Sequence, residues 1–382
     1  MKKVYLDSAA TTKMHSEVID KMTEVMTTIY GNPSSSHSFG RASKTIVETA
    51  RKNIAKELNV TAGEIFFTSG GTEADNLVLL NAVRDLGVKR IITSKIEHHA
   101  VLHTLDYLVK NDNIDVSYVG LNSDGTVKFD DLEEILHQSD VKTLVSLMHV
   151  NNEIGTILDL KRTAEICKKY KALFHSDTVQ SIGHYKLDLQ DIPVDFVVSS
   201  AHKFHGPKGV GFVFIRKHSG VNPLIHGGEQ ERGLRAGTEA VHNIVGLEIA
   251  FTLAYKNLDS DRNAITALKH YFCTELLKAI PEISFNADSS NLDHTAYTIL
   301  NVRFPFKAHK TQMLLFQLDL KGIACSRGSA CQSGSQKGSH VLAEILKEDE
   351  YLKPSLRFSF SKYNTKEDVD YVIETLQAFG AN

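Results

Sequence analysis

The 382-residue sequence predicts an α/β protein, with a mainly parallel sheet and a smaller α+β domain toward the C-terminus. Three observations carry this prediction. Between residues 64 and 215, short apolar runs alternate with amphipathic stretches. Several of the short runs are apolar on consecutive residues, the pattern of a strand covered on both faces. Beyond residue 255 the alternation gives way to a long helical stretch and two further strand-like runs.

Taken in order, "EIFFTSG" (64–70), "KRIITS" (89–94), "DVSYVG" (115–120), "TLVSLMHV" (143–150), "LFHSD" (173–177), "DFVVSS" (195–200) and "GFVFI" (211–215) read as seven strands. Among them, "TEADNLVLLNAVRDLG" (72–87), "HAVLHTLDYLVKN" (99–111) and "TAEICKKYKA" (163–172) have helical periodicity. A long helical stretch, 246–280, follows. "AYTILNVRF" (296–304) and "SLRFSF" (355–360) then read as strands around another helix.

Composition narrows the function classes. The formal net charge is −3 and the apolar share is 42%, values of an ordinary globular enzyme rather than a disordered or polyanion-binding chain, so nucleic acid is not implied. "MKKVYLDSAATT" lacks the apolar core of a signal peptide, and no run is long enough to cross a bilayer, so no membrane partner and a cytoplasmic location are expected. Cys167, Cys273, Cys325 and Cys331 have no C-x-x-C spacing, which argues against a disulfide framework or a zinc knuckle.

Four stretches carry chemistry. "FFTSGGTEADNL" sets Gly70, Gly71 and Thr72 between a strand and a helix, either as a phosphate cradle or as a plain turn capped by Thr72 or Ser69. "SSAHKFHGPKGVG" puts Lys203 after an apolar strand, where α/β proteins gather ligands; a desolvated lysine there forms Schiff bases, and the alternative is a solvated loop residue. "FHSDTVQS" ends a strand with Asp177, either a helix cap or the partner of a protonated ring nitrogen. "EHHAVLH" offers His98 for stacking or acid–base work. His99 and His103 are spaced i, i+4, which suits a metal or two exposed helix positions; without HExxH or a third ligand, no metal site is expected.

Together these pieces suit pyridoxal phosphate. The sequence resembles the NifS/IscS-like cysteine desulfurases, members of the class V aminotransferase family of fold-type I enzymes. The resemblance runs through "YLDSAATT", "YGNPSSSHSFGR", "FTSGGTEADN", "EHHAV", "MHVNNEIGT", "HSDTVQSIG", "SAHKFHGPKGVG", "GGEQERGLRAGTEAVHNIVG", "RGSACQSG" and "LRFSFSKYNTKEDVD". It implies a large cofactor domain over residues 15–255 and a small domain formed by 1–14 and 256–382.

The resemblance also implies roles. Lys203 would hold pyridoxal 5'-phosphate covalently and move the substrate's Cα proton. Asp177 would keep the ring nitrogen protonated, Gln180 would bond the ring's phenolic oxygen, and His98 would stack on the ring and serve in proton transfer. Gly71, Thr72, Ser200 and His202 would surround the phosphate, with Thr238 arriving from the second subunit of a homodimer. Asn152 and Arg357 would hold the carboxylate of L-cysteine. Cys331 would be the nucleophile that takes the sulfur as a persulfide and passes it to an acceptor protein, an iron–sulfur scaffold or a sulfur carrier. Its setting, "ACSRGSACQSGSQKGSH" (324–340), is polar and rich in glycine, so residues 328–339 are expected to be mobile. Cys325 is expected to be a small semi-buried residue rather than a relay. Lys13 stands where the family usually has proline, a local matter. Selenocysteine lyase activity, or another class V reaction, is the alternative.

Overall fold

The protein is described from a computed structural model over residues 2–307, 310–328 and 338–380. Cys331 and most of the segment expected to be mobile lie outside the described residues. Twelve strands run in chain order among the described residues: β1 (Val4–Tyr5), β2 (Ile65–Thr68), β3 (Arg90–Thr93), β4 (Asp115–Tyr118), β5 (Thr143–Ser146), β6 (Leu173–Asp177), β7 (Phe196–Ser200), β8 (Gly211–Ile215), β9 (Ser284–Phe285), β10 (Ile299–Arg303), β11 (Ile323–Ala324) and β12 (Ser355–Ser359).

Strands β2 to β8 form one seven-stranded sheet in the order β2-β8-β7-β6-β5-β3-β4. Each corresponds to one apolar run in the sequence. Strands β4, β3, β5, β6 and β7 are parallel neighbours, while β8 runs antiparallel to both β7 and β2. The sheet is therefore mainly parallel, as expected. Strands β5, β7 and β8 are buried at every position, which explains their uninterrupted apolar character.

Helix Gly71–Arg84 packs on β2, β6, β7 and β8, helping to cover one face. Leu77, Val78, Ala82, Ile91, Val198 and Val213 are among the residues of the core on that side. Helices Ser16–Thr28 and Ser38–Glu57 pack on helix Val241–Lys256. The first two were not among the helices expected from sequence, and the second begins at the end of a serine-rich run, "NPSSSHS" (32–38). There His37 acts as N-cap, its Nδ1 accepting from the Gly40 N–H at 3.3 Å. The long helical stretch expected over 246–280 comprises two helices, Val241–Lys256 and Leu258–Ala279, that meet at Asn257.

A further hydrophobic cluster joins the chain's two ends. Val4 and Leu6 pack with Phe272, Leu276, Leu300, Leu314, Leu356, Phe358 and Leu376. Strand β1 pairs in parallel with β11, and β10 lies between β12 and β9 in an antiparallel sheet. This carries residues 7–10 across the C-terminal ends of the central strands, where the site is built.

Candidate active site

The carboxyl ends of the parallel strands converge on an open cleft of about 730 Å³, the solvent at its mouth included. It is lined by Gly71, Thr72, His98, Asn152, Asp177, Gln180, Ser200, His202, Lys203 and Arg357, which are residues selected from sequence. Sequence neighbours did not bring them together. His98 follows β3, Asn152 follows β5, Asp177 ends β6, and Lys203 closes the short turn after β7. Loops at the C-terminal ends of parallel strands are where such folds bind ligands.

Lys203 is not a solvated loop residue. Its Nζ donates to the carbonyls of Ala9 and Ala10, at 2.6 and 2.9 Å. The Gln180 Nε2 donates to the same Ala9 carbonyl at 2.9 Å. These two carbonyls belong to the N-terminal segment, a contribution that the motif reading missed because a backbone acceptor leaves no residue-type signal.

Asp177 is buried, and one of its carboxylate oxygens accepts the Val179 N–H at 2.9 Å. It thus caps the following turn and still lines the cleft, so the two readings of this residue are compatible. Burial raises its pKa, partly offset by the Val179 N–H and by Lys203. A cationic ring nitrogen placed against it restores the ionised form.

His98 caps helix His99–Asp112, its Nδ1 accepting from the Ala100 N–H at 3.1 Å. That bond leaves the ring proton on Nε2. Burial, then Lys203, His340 and His103, push its pKa down to about 4, so the ring is neutral near pH 7. His202 is likewise lowered to about 4, by burial and then by Lys203 and Lys208; its Nδ1 lies 3.1 Å from the Thr11 Oγ1.

The N-terminus of helix Gly71–Arg84 fits a phosphate. Neither Thr72 nor Ser69 caps it, contrary to that alternative. The cap is Gly70, at φ +152°, and it offers no side-chain hydrogen bond. The first helical N–H groups and the positive end of the dipole are thereby left for an anion. A Cβ on Gly71 would lie 2.7 Å from the Val179 Cγ2, so the cradle also requires the missing side chain.

Arg357 sits at the other wall, 1% exposed. Its Nη1 donates to the Asn152 carbonyl at 2.8 Å and its Nη2 to Asp7 at 2.7 Å. Its Nε has no partner among the described residues. Asp7 also accepts from the Ser326 Oγ at 2.9 Å. A guanidinium lining a cleft suits a substrate carboxylate.

Thr238 is exposed and does not line this cleft. The rings of His99 and His103 stack at 4.7 Å, and those of His99 and His340 lie 4.5 Å apart. Among the described residues, no group of three His, Cys, Asp or Glu side chains is arranged to hold a metal ion. No described helix is long and apolar enough to cross a membrane. Cys167 and Cys273 are buried, and burial pushes both thiols up. Cys325 is also raised, by burial and then by the Asp7 charge, which favours the thiol over the thiolate.

A buried carboxylate at a strand end, a lysine in the turn after the next strand and an uncapped helix N-terminus form a coherent set, and comparison with known proteins gives the lineage. The class-V aminotransferase family model matches residues 4–372. The chain belongs to the class-V aminotransferase family. A curated relative, the cysteine desulfurase IscS of Dictyoglomus turgidum, is 42% identical over 98% of this chain and 94% of its own length. A solved NifS-like protein superimposes with a TM-score of 0.90 at 36% identity, covering 100% of both chains. The structure described as SspA in complex with cysteine has a TM-score of 0.77 at 29% identity, over 95% of this chain and 100% of that one. Members of this class-V family depend on pyridoxal phosphate, and the residues of the cleft fit that group on the geometry given above. Asp75, which also lines the cleft, was missed by the motif reading.

Proposed function

We propose that the protein is a pyridoxal phosphate-dependent cysteine desulfurase, which converts L-cysteine to L-alanine and delivers the sulfur as a persulfide. One observation carries the reading: Lys203, Asp177, Gln180, His98 and Arg357 line a single cleft at the carboxyl ends of the parallel strands. The family match and the desulfurase relatives support it.

The cofactor, when bound, supplies an electron sink for the substrate's Cα. Lys203 is the residue that would hold it and move the Cα proton. Asp177 would face the ring nitrogen, Gln180 the phenolic oxygen and His98 the ring face. Thr72, Ser200 and His202 would join the uncapped helix N-terminus in binding the phosphate. Arg357 would take the substrate carboxylate with its guanidinium, beside Asn152.

Cys331 is the proposed nucleophile, on the strength of its motif. Its thiolate attacks the substrate sulfur, forming an S–S bond as the C–S bond breaks. The C–S electron pair stays with the carbon, which gains a proton and leaves as alanine. The persulfide then passes to an acceptor protein for iron–sulfur assembly or another thiolation. We place the protein in the cytoplasm and propose a homodimer, with exposed Thr238 serving the partner subunit's phosphate site.

The test supplies L-cysteine and a reductant and measures alanine and sulfide. Lys203→Ala should lose the cofactor's visible absorbance; Cys331→Ser should keep the absorbance and release no sulfide. Native turnover by Cys331→Ser would refute the nucleophile assignment. Amine transfer to an added keto acid, with no sulfide, would make the protein an aminotransferase instead.

A further inference from the structure

Behind Asp177 lies a second buried acid with no role in the reaction described above. Asp75, in the N-terminal part of helix Gly71–Arg84, is 1% exposed and lines the same cleft. Residues 175 and 177 share one face of β6, because side chains alternate along a strand. On that face the Nε2 of His175 lies 3.3 Å from an Asp75 carboxyl oxygen. His175 is itself fully buried, and its Nδ1 is 2.9 Å from the Ser146 Oγ.

The two facing atoms, Asp75 Oδ1 and His175 Nε2, have no hydrogen-bond partner among the described residues. Opposing two buried lone pairs is costly, so one proton belongs between them. It sits either on Asp75, facing a neutral imidazole, or on Nε2, facing a carboxylate.

The surrounding charges decide between these. Asp75 faces Asp177 from β6 and Glu97 from the turn after β3, and because burial keeps the proton on Glu97 up to about pH 8, Asp177 is the charge that acts on Asp75 near neutral pH. On its own helix, Glu73 is paired with Arg235 at 2.9 Å. The cation acting on Asp177 is Lys203. An ionised Asp75 would place a second negative charge near Asp177 in a water-poor interior, where like charges are strongly disfavoured. A protonated ring nitrogen supplies one positive charge, enough for one carboxylate. Burial raises the pKa of Asp75, Asp177 raises it further, and Glu97 adds to this only once it ionises above about pH 8; burial lowers that of His175 to about 3.

We propose that Asp75 is a positioning residue held as a neutral carboxylic acid that donates its proton to His175, leaving Asp177 as the single ionised carboxylate beneath the cofactor's ring nitrogen. His175 then carries its own proton on Nδ1 and donates it to the Ser146 Oγ. The chain Asp75–His175–Ser146 anchors the helix whose N-terminus cradles the phosphate to the strand that ends in Asp177. The catalytic consequence rests on the pyridoxal phosphate reading, whereas the protonation state does not.

The test is infrared spectroscopy of the purified protein at neutral pH, with the aspartate carboxyls isotope-labelled so that protonated glutamates do not interfere. A protonated aspartic acid band should appear in the wild type, vanish in Asp75→Asn and persist in Asp177→Asn. Because Asn carries no charge either, Asp75→Asn should keep cofactor affinity within about threefold and leave the pH profile of the visible absorbance in place. Absence of the band from the wild type overturns the proposal, even if Asp75→Asn fails to fold. So does loss of the band in Asp177→Asn with retention in Asp75→Asn, or a loss of cofactor affinity beyond about tenfold in Asp75→Asn. A protein that shows the band but makes no alanine from cysteine would sink the desulfurase reading and leave this one standing.

Discussion

Replacing Glu97 by glutamine should stabilise the protein increasingly as pH rises toward about 8 and leave it unchanged near pH 4.5. Glu97 is 1% exposed and immediately precedes His98. Burial pushes its pKa from the ordinary 4.5 up to about 8, against the opposing effect of hydrogen bonds from Ser94 and Met148 and with a further push from Asp177. The folded state therefore holds a proton that the unfolded chain gives up near pH 4.5. Stability from this group is fully present below pH 4.5 and is lost as pH rises toward 8, the folded value. The loss is about 1.4 kcal/mol per pH unit, or about 2 to 3 kcal/mol from pH 6 to pH 8. Glutamine reproduces the protonated acid at this site. Its carbonyl can accept the Met148 N–H, which lies 2.9 Å from Glu97, and its amide can donate to the Ser94 hydroxyl, at 2.7 Å. Chemical denaturation of wild type and Glu97→Gln from pH 4.5 to pH 8 should show two curves that meet near pH 4.5 and stand about 2 kcal/mol apart at pH 6 and about 4 kcal/mol apart at pH 8. Parallel curves, or a variant weaker throughout by more than about 1 kcal/mol, would mean that Glu97 is buried as a carboxylate and would refute the reasoning.

Other outcomes follow from the same geometry. Arg357→Lys should lower kcat/KM for cysteine by about tenfold to a hundredfold, since a point charge cannot bond Asn152, Asp7 and substrate together; the cofactor's absorbance should be unchanged. Gly71→Ala should weaken cofactor binding by about tenfold or more, measured by titrating the absorbance, because its Cβ would meet Val179 at 2.7 Å. Arg51→Ala should cost about 3 to 5 kcal/mol in denaturation, since it strands Glu231 as a buried charge. Glu231 also accepts the Phe67 N–H at 2.8 Å and, with Arg232, adopts positive φ, so the loop leading to Thr238 depends on this pair.

The seven strands of the main sheet were legible because each is an apolar run bounded by turn residues, and burial on both faces leaves that mark in composition. Lys203, Asp177 and the glycines 70 and 71 were legible for a related reason: each stands where an apolar strand stops, and a fold of this class turns such positions toward one cleft. Asp75 was not. It lies in a helix whose other buried positions are mostly apolar, and its partner His175 is 100 residues away in the chain. Nor was the role of Asp7, whose meaning depends on Arg357, far along the sequence but 2.7 Å away in space. Residue types and local periodicity determine elements and mark strand-end chemistry. Pairings between distant buried charges, the carbonyls of Ala9 and Ala10 on Lys203, and which acid keeps its proton are decided by tertiary packing alone, because desolvation and Coulomb terms depend on distance through space and not along the chain.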